Sequence, residues 1–464
     1  MSSTPEPGAI EWAIGSAIKS AIVSLRADVA GEVLVPGDDG YEARADAFVF
    51  TGHPAVIVRA ESDEDVARAV GFAVEYGLEI STRSGGHSNA GFATNVGGLV
   101  LDLSPLDTVE VLDESERLVR LGTGAVWATV AKALAPYGLA FTSGDTTSVG
   151  VGGLLVGGGV GWMARKYGLA LDSLVAATVV TADGRILAAS AEENPDLFWA
   201  IRGGGGNFGV VTSFTVVAQP VKQVFFGQIL FAPDETADVL RGWAAYMASA
   251  PEELTTTAMC WPTFGEAAAP VAIMVCYAGD DDAAAGLTID PIRKLGTVVD
   301  DQVRLLPYGD VLADINELPP GWRPRVRNRF APALTDELVT TILAQQAKLA
   351  NLYVEIRSIG GALNLVAEDA TAFAHRDTQA LIMGVLLGSP EDNEPLLPTY
   401  EEFWSALAPS MSGAYSGFLS DILPADVDAV YPAEVYRRLA VLKREYDPGN
   451  VFHLNVNVEP AAGE

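Results

Sequence analysis

The chain has 464 residues, and its 29 basic and 60 acidic side chains give a formal net charge of −31 at pH 7. A surface of that charge repels phosphate backbones and anionic lipids, so we expect neither nucleic acid nor a membrane among the partners. Hydrophobic residues make up 49% and charged residues 19% of the chain. That balance is typical of folded protein, and the length favours two domains.

The N-terminus and the cysteines bear on the cellular compartment. Residues 1–25 lack a basic stretch, and Glu11 and Lys19 interrupt their apolar residues, so they predict a short amphipathic helix instead of a signal peptide. No segment reaches the length of a membrane-spanning helix. Cys260 and Cys276 lie in apolar stretches, which favours two free buried thiols over one buried disulfide. We therefore expect a cytoplasmic protein.

Strands and helices alternate between about residue 54 and residue 220. A helix is predicted over residues 63–76, because Ser62 can cap its first turn, acids fill that turn and Gly77 can end it. Further helices are predicted at 126–138 and 194–202. Strands are predicted at 54–60, 78–84, 98–104 and 208–221, a hairpin at 108–124, and two more strands at 174–190.

The pattern changes after Val221. Alternating strand segments are predicted at 224–232, 254–264 and 270–279, with helices at 237–249 and 335–350 between or after them. Few glycine clusters occur here, so we predict an antiparallel sheet covered by helices. Near residue 424 the pattern returns to a helix, at 433–447, followed by a coil.

Glycine is densest between Thr142 and Gly168. Seven glycines fall within twelve positions, namely Gly150, Gly152, Gly153, Gly157, Gly158, Gly159 and Gly161. So much glycine costs conformational entropy, and it predicts a loop whose N–H groups hold an anion such as a pyrophosphate. The alternative is a flexible loop, but the apolar residues between the glycines argue against it.

A second glycine cluster, "RGGGGNFGVVT", contains G-x-G-x-x-G at Gly204, Gly206 and Gly209. A Rossmann turn needs a strand before these glycines and a helix after them. Here the predicted helix comes first and the strand follows, and no acidic ribose partner stands about twenty residues on. We therefore reject a nicotinamide site. Neither a phosphate loop with Lys-Ser/Thr nor a G-x-S-x-G nucleophile elbow is found.

One of only four histidines, His87, stands in the bare turn "RSGGHS" directly after a predicted strand. A zinc site is disfavoured, because no other His or Cys lies near it in the sequence. A general base usually has an orienting partner, and none is visible here. From the residues alone, a base, a covalent anchor and an ordinary turn residue all stay open.

Together these segments resemble one family. "RSGGHS", "SVGVGGLLVGGGVGWMARKYGLALDSL", "VVTADG", "NPDLFWAIRGGGGNFGVVTSF", "FAHRD" and "YDPGNVFHLNVNVEP" look like the FAD-linked oxidases of the vanillyl-alcohol-oxidase type, closest to the berberine-bridge-enzyme-like branch. The resemblance spans about residues 30–460. It implies an α+β fold in which a PCMH-type FAD-binding domain, residues 1–220 completed by 421–464, adjoins a substrate-binding domain, residues 221–420.

The resemblance also assigns the cofactor, FAD, and its site. His87 would be bonded to the flavin 8α-methyl carbon, and no metal is implied. The residues assigned to the FAD are Arg83, Ser84, Gly85, Gly86, His87, Ser88, Gly144, Ser148, Gly150, Gly152, Gly153, Gly157, Gly158, Gly161, Gly209, Val210, Val211, Asn455 and Asn457. Many members carry a second link through a cysteine, but Thr146 stands at that position here and cannot form a thioether. The implied state is one covalent bond, through His87.

The substrate side is expected on the second sheet. Alternation in "NLYVEIRSIGG" puts Tyr353, Glu355 and Arg357 on one strand face. Because similar enzymes use a carboxylate or tyrosine as base, Glu355 is our first candidate and Tyr415 our second. The alternative is that Glu355 and Arg357 form a solvated face.

An arginine row also stands out in so acidic a chain. Arg323, Arg325, Arg327 and Arg329 fall two apart in "WRPRVRNRF" and would share a strand face. They are interpreted either as a site for an acidic substrate or partner subunit, or as an edge strand protected by charge; the second reading is favoured.

These features predict an FAD-dependent oxidase. A hydride would pass from a small organic C–OH or C–N donor to flavin N5, with dioxygen as acceptor and hydrogen peroxide as product. The partners would be a small-molecule substrate and dioxygen, and the protein a monomer or homodimer. The alternatives are a flavin-dependent tailoring dehydrogenase or monooxygenase of secondary metabolism, and a non-catalytic flavin-binding protein.

Overall fold

The computed structural model describes residues 16–262, 270–314 and 318–463. Its first sheet has mixed strand directions and consists of β1 (Glu32–Leu34), β2 (Val56–Arg59), β3 (Ile80–Arg83) and β4 (Leu99–Asp102). The spatial order is β1–β2–β4–β3, with β4 parallel to both β2 and β3 and with β1 antiparallel to β2. The carboxyl ends of the parallel strands β2, β3 and β4 therefore lie on the same side of this sheet. Ligands usually bind there in sheets with parallel strands.

Three helices belong to this first sheet region: α1 (Ser16–Asp28), α2 (Glu42–Ala45) and α3 (Asp63–Tyr76). The predicted capping of α3 is confirmed, since the Ser62 hydroxyl accepts from the Asp65 N–H at 3.1 Å and Gly77 is left-handed with φ 63°. The last part of the predicted N-terminal helix, residues 16–25, is helical and belongs to α1. Residues 1–15 lie outside the described part of the chain.

The second sheet is antiparallel throughout and has the order β5–β6–β9–β7–β8 for β5 (Val109–Asp113), β6 (Leu118–Gly122), β7 (Leu174–Val180), β8 (Ile186–Ser190) and β9 (Val210–Val217). Four short helices accompany it: α4 (Trp127–Leu134), α5 (Val151–Gly157), α6 (Ala164–Tyr167) and α7 (Pro195–Ile201). As predicted, the second glycine cluster has a helix before it and a strand after it.

The densest glycine segment differs from the predicted loop, because its first half is helix α5. Val151 and Leu155 lie one helical turn apart, and both are fully buried. Burial of this apolar face outweighs the low helix propensity of the surrounding glycines. After this helix, the glycine-rich backbone is irregular from Gly158 to Met163.

The third sheet is built from residues 223–386 and is the predicted antiparallel sheet covered by helices. Its strands are β10 (Gln223–Phe231), β11 (Leu254–Cys260), β12 (Val271–Tyr277), β13 (Val298–Asp301), β14 (Arg304–Pro307), β15 (Arg325–Ala331), β16 (Leu352–Ser358) and β17 (Ala380–Leu386). The order is β13–β10–β12–β11–β16–β17–β15, and β14 also pairs with β10. The predicted strand at 254–264 ends at Cys260, and residues 263–264 lie outside the described residues.

Helices cover one face of this sheet. They are α8 (Thr236–Met247), α9 (Asp282–Arg293), α10 (Asp336–Gln346) and α13 (Leu397–Leu407). Trp243, Ile342 and Phe403 of these helices are fully buried in one apolar cluster with sheet residues such as Ile273 and Ile356. Between α10 and α13 in sequence lie two short helices, α11 (Ala362–Leu365), which packs against α6, and α12 (Pro390–Asn393). Cys260 and Cys276 are buried free thiols. Among the described residues, no helix combines the length and apolar character needed to cross a membrane.

The C-terminal part returns to the second sheet. α14 (Pro424–Val430) and α15 (Ala433–Tyr446) are followed by an extended segment, and α15 packs against α7 and the turn at residues 205–208. The Asn207 carboxamide donates to Val456 O and accepts from Val458 N, both at 3.0 Å. The domain limits at residues 220 and 421 stay a prediction.

A fully buried ion pair fixes this return. Lys443 and Asp447 have no solvent exposure, and their charged atoms are 2.7 Å apart. Lys443 Nζ also donates to Asn207 O at 2.8 Å and to Phe452 O at 2.9 Å. The same ammonium group therefore joins the glycine cluster to the C-terminal segment. Such a pair is tolerated in the interior because every proton of Nζ has a partner.

Replacing Lys443 by Met should destabilise the protein by about 3–5 kcal/mol, because the Asp447 carboxylate would stay buried without its partner. Urea denaturation measures the change. The control is Arg120→Met, which breaks a half-exposed pair with Glu110 at 3.6 Å and should cost less than about 1 kcal/mol. Equal losses in the two variants would contradict this prediction.

Candidate active site

A cavity of about 410 Å³ lies where the first two sheets meet the C-terminal return. It is lined by Phe48, Leu103 and residues from five stretches of the chain, near 80–93, 144–160, 205–211, 415–431 and 452–456. Its size falls in the range of small-molecule and cofactor sites. The turn after β3, which contains His87, forms part of its wall.

Most of the predicted site residues line this one cavity. They are Ser84, Gly85, Gly86, His87, Ser88, Gly144, Gly150, Gly152, Gly153, Gly157, Gly209, Val210, Val211, Tyr415 and Asn455. The remaining predicted residues, Arg83, Ser148, Gly158, Gly161, Glu355 and Asn457, are not among its lining residues.

The contacts of these non-lining residues are with other protein groups. Arg83 is buried, and its guanidinium donates to Asp46 O at 3.0 Å and pairs with Asp102 at 3.5 Å, which ties β3 to β4. A Cβ on Gly161 would overlap the Ser143 carbonyl. The Asn457 amide donates to Glu459 at 2.9 Å.

Two glycine turns meet backbone to backbone at the cavity. A Cβ on Gly85 would overlap the Gly150 amide, and a Cβ on Gly150 would overlap the Gly85 amide and the Ser84 hydroxyl. Ser84 completes the contact, because its hydroxyl donates to Thr123 O and accepts from Gly152 N at 3.2 Å. Only glycine allows this approach at both positions.

The turn after Ser84 lines the cavity and contains backbone N–H groups that have no protein acceptor among the described residues. In the residues that the structure describes, the backbone N–H groups of residues 85–90 donate to no other protein group. The described lining contains no lysine or arginine, so an anion would be held by backbone amides such as these, as in other anion-binding turns. Gly153 and Gly206 face open space, since a Cβ on either would meet nothing within 4 Å. The residues therefore fit a phosphate-bearing cofactor.

His87 is the titratable group of this turn. Its ring centroid lies 5.4 Å from that of Phe48. Burial lowers the pKa of His87, and contact with the Ser148 backbone offsets only part of that shift. The imidazole is consequently neutral at pH 7 and has a free nitrogen lone pair.

A charged network reaches the cavity from the third sheet. Arg357 pairs with Asp145, a lining residue, at 2.6 Å, and its Nε donates to Glu355. The Tyr353 hydroxyl donates to the other Glu355 oxygen at 2.9 Å. Burial raises the pKa of Asp145, but Arg357 and Thr146 outweigh this effect and the pKa falls below its usual value. Both carboxylates of the network are thus held in place by hydrogen bonds.

Tyr415 lies on the cavity wall itself. Its hydroxyl accepts from the Gly159 N–H at 3.1 Å, and its ring adjoins Gly158, where a Cβ would come within 3.0 Å of it. Burial raises the pKa of Tyr415, while the Gly159 contact and the positive charge of Arg357 act in the opposite direction. Of the two candidate bases, Tyr415 therefore faces the cavity, and Glu355 lies behind Arg357.

Sequence reasoning missed several lining residues. Gly205 and Gly206 belong to the second glycine cluster, where only Gly209 and its two successors had been assigned. The run of four glycines was an available signal. Phe48 and Phe452 were missed as well, and no local pattern distinguishes them from ordinary core aromatics.

The arginine row has carboxylate or aromatic partners within the chain. The pairs are Arg325 with Asp421 at 3.4 Å, Arg327 with Glu401 at 2.8 and 2.9 Å, Arg329 with Asp426 at 2.8 Å, and the Arg323 guanidinium 5.3 Å from the Phe50 ring centre. β15 is an edge strand of the sheet, as the favoured reading held. The row nevertheless differs from a solvated edge, because Arg325, Arg327 and Arg329 each pair with a carboxylate between residues 401 and 426.

Comparison with known proteins gives concordant matches. The FAD binding domain family matches residues 54–190. The chain is 35% identical to (R)-6-hydroxynicotine oxidase of Paenarthrobacter nicotinovorans over 93% of this chain and 97% of that protein. The crystal structure of 6-hydroxy-D-nicotine oxidase from Arthrobacter nicotinovorans superposes with a TM-score of 0.83, at 32% identity, over 93% of this chain and 98% of that one.

A further solved structure informs the covalent chemistry. Glucooligosaccharide oxidase from Acremonium strictum is described as carrying 6-S-cysteinyl, 8α-N1-histidyl FAD. It superposes with a TM-score of 0.82, at 26% identity, over 95% of this chain and 100% of that chain.

Replacing Gly150 by Ala should lower stability by about 1–3 kcal/mol, because the new methyl group overlaps the Ser84–Gly85 turn and forces the two turns apart. Thermal unfolding measures the loss. Gly71→Ala is the matched control: Gly71 lies within α3 with nothing within 4 Å of a Cβ, so alanine there should stabilise by about 0.5–1 kcal/mol. A Gly150→Ala protein as stable as wild type would refute the close contact.

Proposed function

The chain belongs to the FAD-linked oxidases of the vanillyl-alcohol-oxidase type, in the berberine-bridge-enzyme-like branch, and we propose that it is an oxidase whose FAD is bound covalently to His87 alone. The observation that carries this proposal is the turn at residues 85–90, in which His87 stands among unpaired N–H groups on the cavity wall. The turn offers both a nucleophile and an anion site.

Two groups of residues would hold the cofactor. The N–H groups of residues 85–90 would bind its pyrophosphate, because these residues line the cavity and their N–H groups have no acceptor in the described residues. Gly153, Gly206 and Gly209 would allow the cofactor to approach the backbone closely, and Asn455 of the C-terminal return would close the site. When bound, FAD takes a hydride from an organic donor and passes its electrons to dioxygen, giving hydrogen peroxide.

The single covalent link follows from residue chemistry. A neutral imidazole is a competent nucleophile, and burial keeps His87 in that form at pH 7. Thr146 lines the same cavity, and its hydroxyl cannot form a thioether such as the 6-S-cysteinyl link named for the glucooligosaccharide oxidase. Cys260 and Cys276 are buried, and neither lines the described cavity.

Proton removal from the donor is proposed for Tyr415, with Glu355 as the alternative. Tyr415 lines the cavity, and although burial raises its pKa, the Gly159 N–H and Arg357 both favour its phenolate. The Glu355 carboxylate already accepts from Tyr353 and Arg357. A carboxylate held in this way orients its neighbours more readily than it accepts a proton.

The donor is proposed to be a small organic molecule with a C–OH or C–N group, bound against residues 221–420 as the substrate domain. The names of relatives include both nicotine and oligosaccharide oxidases, so an anaerobic screen with sugars, alcohols, amines and polyketides identifies the class. Loss of the yellow flavin absorption marks a donor. Aerobic turnover should then give one hydrogen peroxide per donor oxidised, and a lower ratio would favour a dehydrogenase or monooxygenase.

Acid precipitation of the wild-type protein should leave the yellow colour in the pellet, because a histidyl bond survives unfolding. His87→Ala should release all its flavin into the supernatant. The control is His453→Ala, since His453 is paired with Glu79 at 3.3 Å and lies outside the cavity lining. Flavin that washes out of precipitated wild type would exclude the covalent bond without excluding FAD binding.

Tyr415→Phe should lower kcat/KM by about 10²–10⁴-fold, the usual contribution of a general base. Since burial raises the pKa of Tyr415, wild-type kcat/KM should rise with pH through the alkaline range, and the variant should lose this rise. Glu355→Gln should keep it. A pH profile that is unchanged in Tyr415→Phe but flattened in Glu355→Gln would assign the base to Glu355 instead.

A further inference from the structure

We propose that Asn328 on β15 is a positioning residue for the reaction, because it fixes the segment 415–418 that forms one wall of the cavity. Sequence analysis identified the arginines around it but gave Asn328 no role. The inference rests on the proposed function, since turnover at this cavity is one of its readouts. Asn328 touches neither the cavity nor any residue proposed to bind FAD.

All the hydrogen bonds of the Asn328 side chain go to this segment. Its Oδ1 accepts from the Tyr415 N–H at 2.7 Å, and its Nδ2 donates to Tyr415 O at 2.8 Å and to Phe418 O at 3.1 Å. The side chain has no solvent exposure. An amide is the group that suits this position, because it donates and accepts at the same time.

The segment lies along the free edge of β15. Phe330 exchanges backbone hydrogen bonds with Ser412 and Gly413, at 2.8 and 3.1 Å. Farther along, Val326 bonds to both the backbone and the hydroxyl of Ser420, at 3.0 Å in each case. Between these two attachments the chain leaves the strand, and Asn328 spans that gap. The wall is therefore carried by the third sheet.

Two flanking arginines bind the chain that follows this segment. Arg325 pairs with Asp421 at 3.4 Å, and Arg329 pairs with Asp426 at 2.8 Å. Asp426 is itself buried and also accepts from Leu423 N at 3.1 Å. Arg325 and Arg329 thus have a role inside the molecule, which is to fasten the chain that follows the cavity wall.

A shift of this wall would reach two groups of the site. Tyr415 would change its distance to Gly159, to which its hydroxyl now bonds at 3.1 Å. The Phe418 ring would move relative to Arg357, whose guanidinium carbon lies 4.9 Å from the ring centre. Since Arg357 also binds Asp145, a change at Asn328 would alter both the proposed base and its electrostatic surroundings.

The test replaces Asn328 by Asp, which keeps the size of the side chain and its acceptor but sets a carboxylate oxygen against the carbonyls of Tyr415 and Phe418. Asn328→Ser is the second variant, in case the buried charge prevents folding. The control is Asn393→Asp. Asn393 is 3% exposed, and its amide donates to Leu386 O at 3.2 Å and accepts from Asn351 at 3.1 Å, away from the cavity.

All variants are measured as flavin-loaded enzymes with the best donor from the screen. Thermal stability should fall in every variant, since each loses buried hydrogen bonds. Only the Asn328 variants should lower kcat/KM, by about ten- to hundredfold, the range expected for a displacement near 1 Å. Only they should shift the visible absorption maximum of the bound flavin. The Asn328→Ser and Tyr415→Phe losses should also be less than additive when combined.

The outcomes separate this inference from the proposed function. Asn328 variants with the absorption maximum and kcat/KM of Asn393→Asp would overturn the positioning role while the enzyme remains an oxidase. Full additivity with Tyr415→Phe would also overturn it, because it would show that Asn328 does not act through Tyr415. A wild-type protein that binds no flavin would instead refute the proposed function.

Discussion

The contact between the Gly85 and Gly150 turns is the constraint on which the cavity depends. At this point the backbone that leaves β3 and the backbone that enters α5 are so close that neither residue can carry a side chain. Residues 85–90 all line the cavity, and their N–H groups find no acceptor in the described residues. Ser84 joins the two turns instead, because its hydroxyl donates to Thr123 O and accepts from Gly152 N.

Two other parts of the chain complete the cavity, and each is fixed by buried polar groups. The C-terminal return is attached by Lys443, Asp447 and Asn207, and the segment after Ser412 is attached by Asn328. Irregular chain cannot satisfy its own backbone, so it needs side-chain partners wherever it is buried. This explains why amides and an ammonium group occur at these positions, where an apolar core residue would leave carbonyl groups without donors.

The local features of the fold could be predicted, and the long-range ones could not. The capping of α3 by Ser62 and Gly77 depends on a few neighbouring residues, and the structure has it as predicted. The glycine segment predicted a ligand cradle but not helix α5, since that helix is stabilised by burial of Val151 and Leu155 against residues far away in sequence. The arginine row was recognised from its spacing, whereas the pairing of Arg329 with Asp426 joins residues 97 positions apart.

The choice between the candidate bases shows most clearly that strand alternation does not identify the side chain that contacts the ligand. Alternation put Tyr353, Glu355 and Arg357 on one face, and their side chains do contact one another. A shared face, however, does not say which group meets the ligand. Among these three side chains, Arg357 binds the cavity-lining residue Asp145, 212 positions away in sequence, and it leaves Glu355 behind it. Tyr415 then reaches the wall because Asn328, on a strand far from it in sequence, holds its backbone there. The assignment of a base therefore depends on which side chain its neighbours have already bound, and that information enters only with tertiary structure.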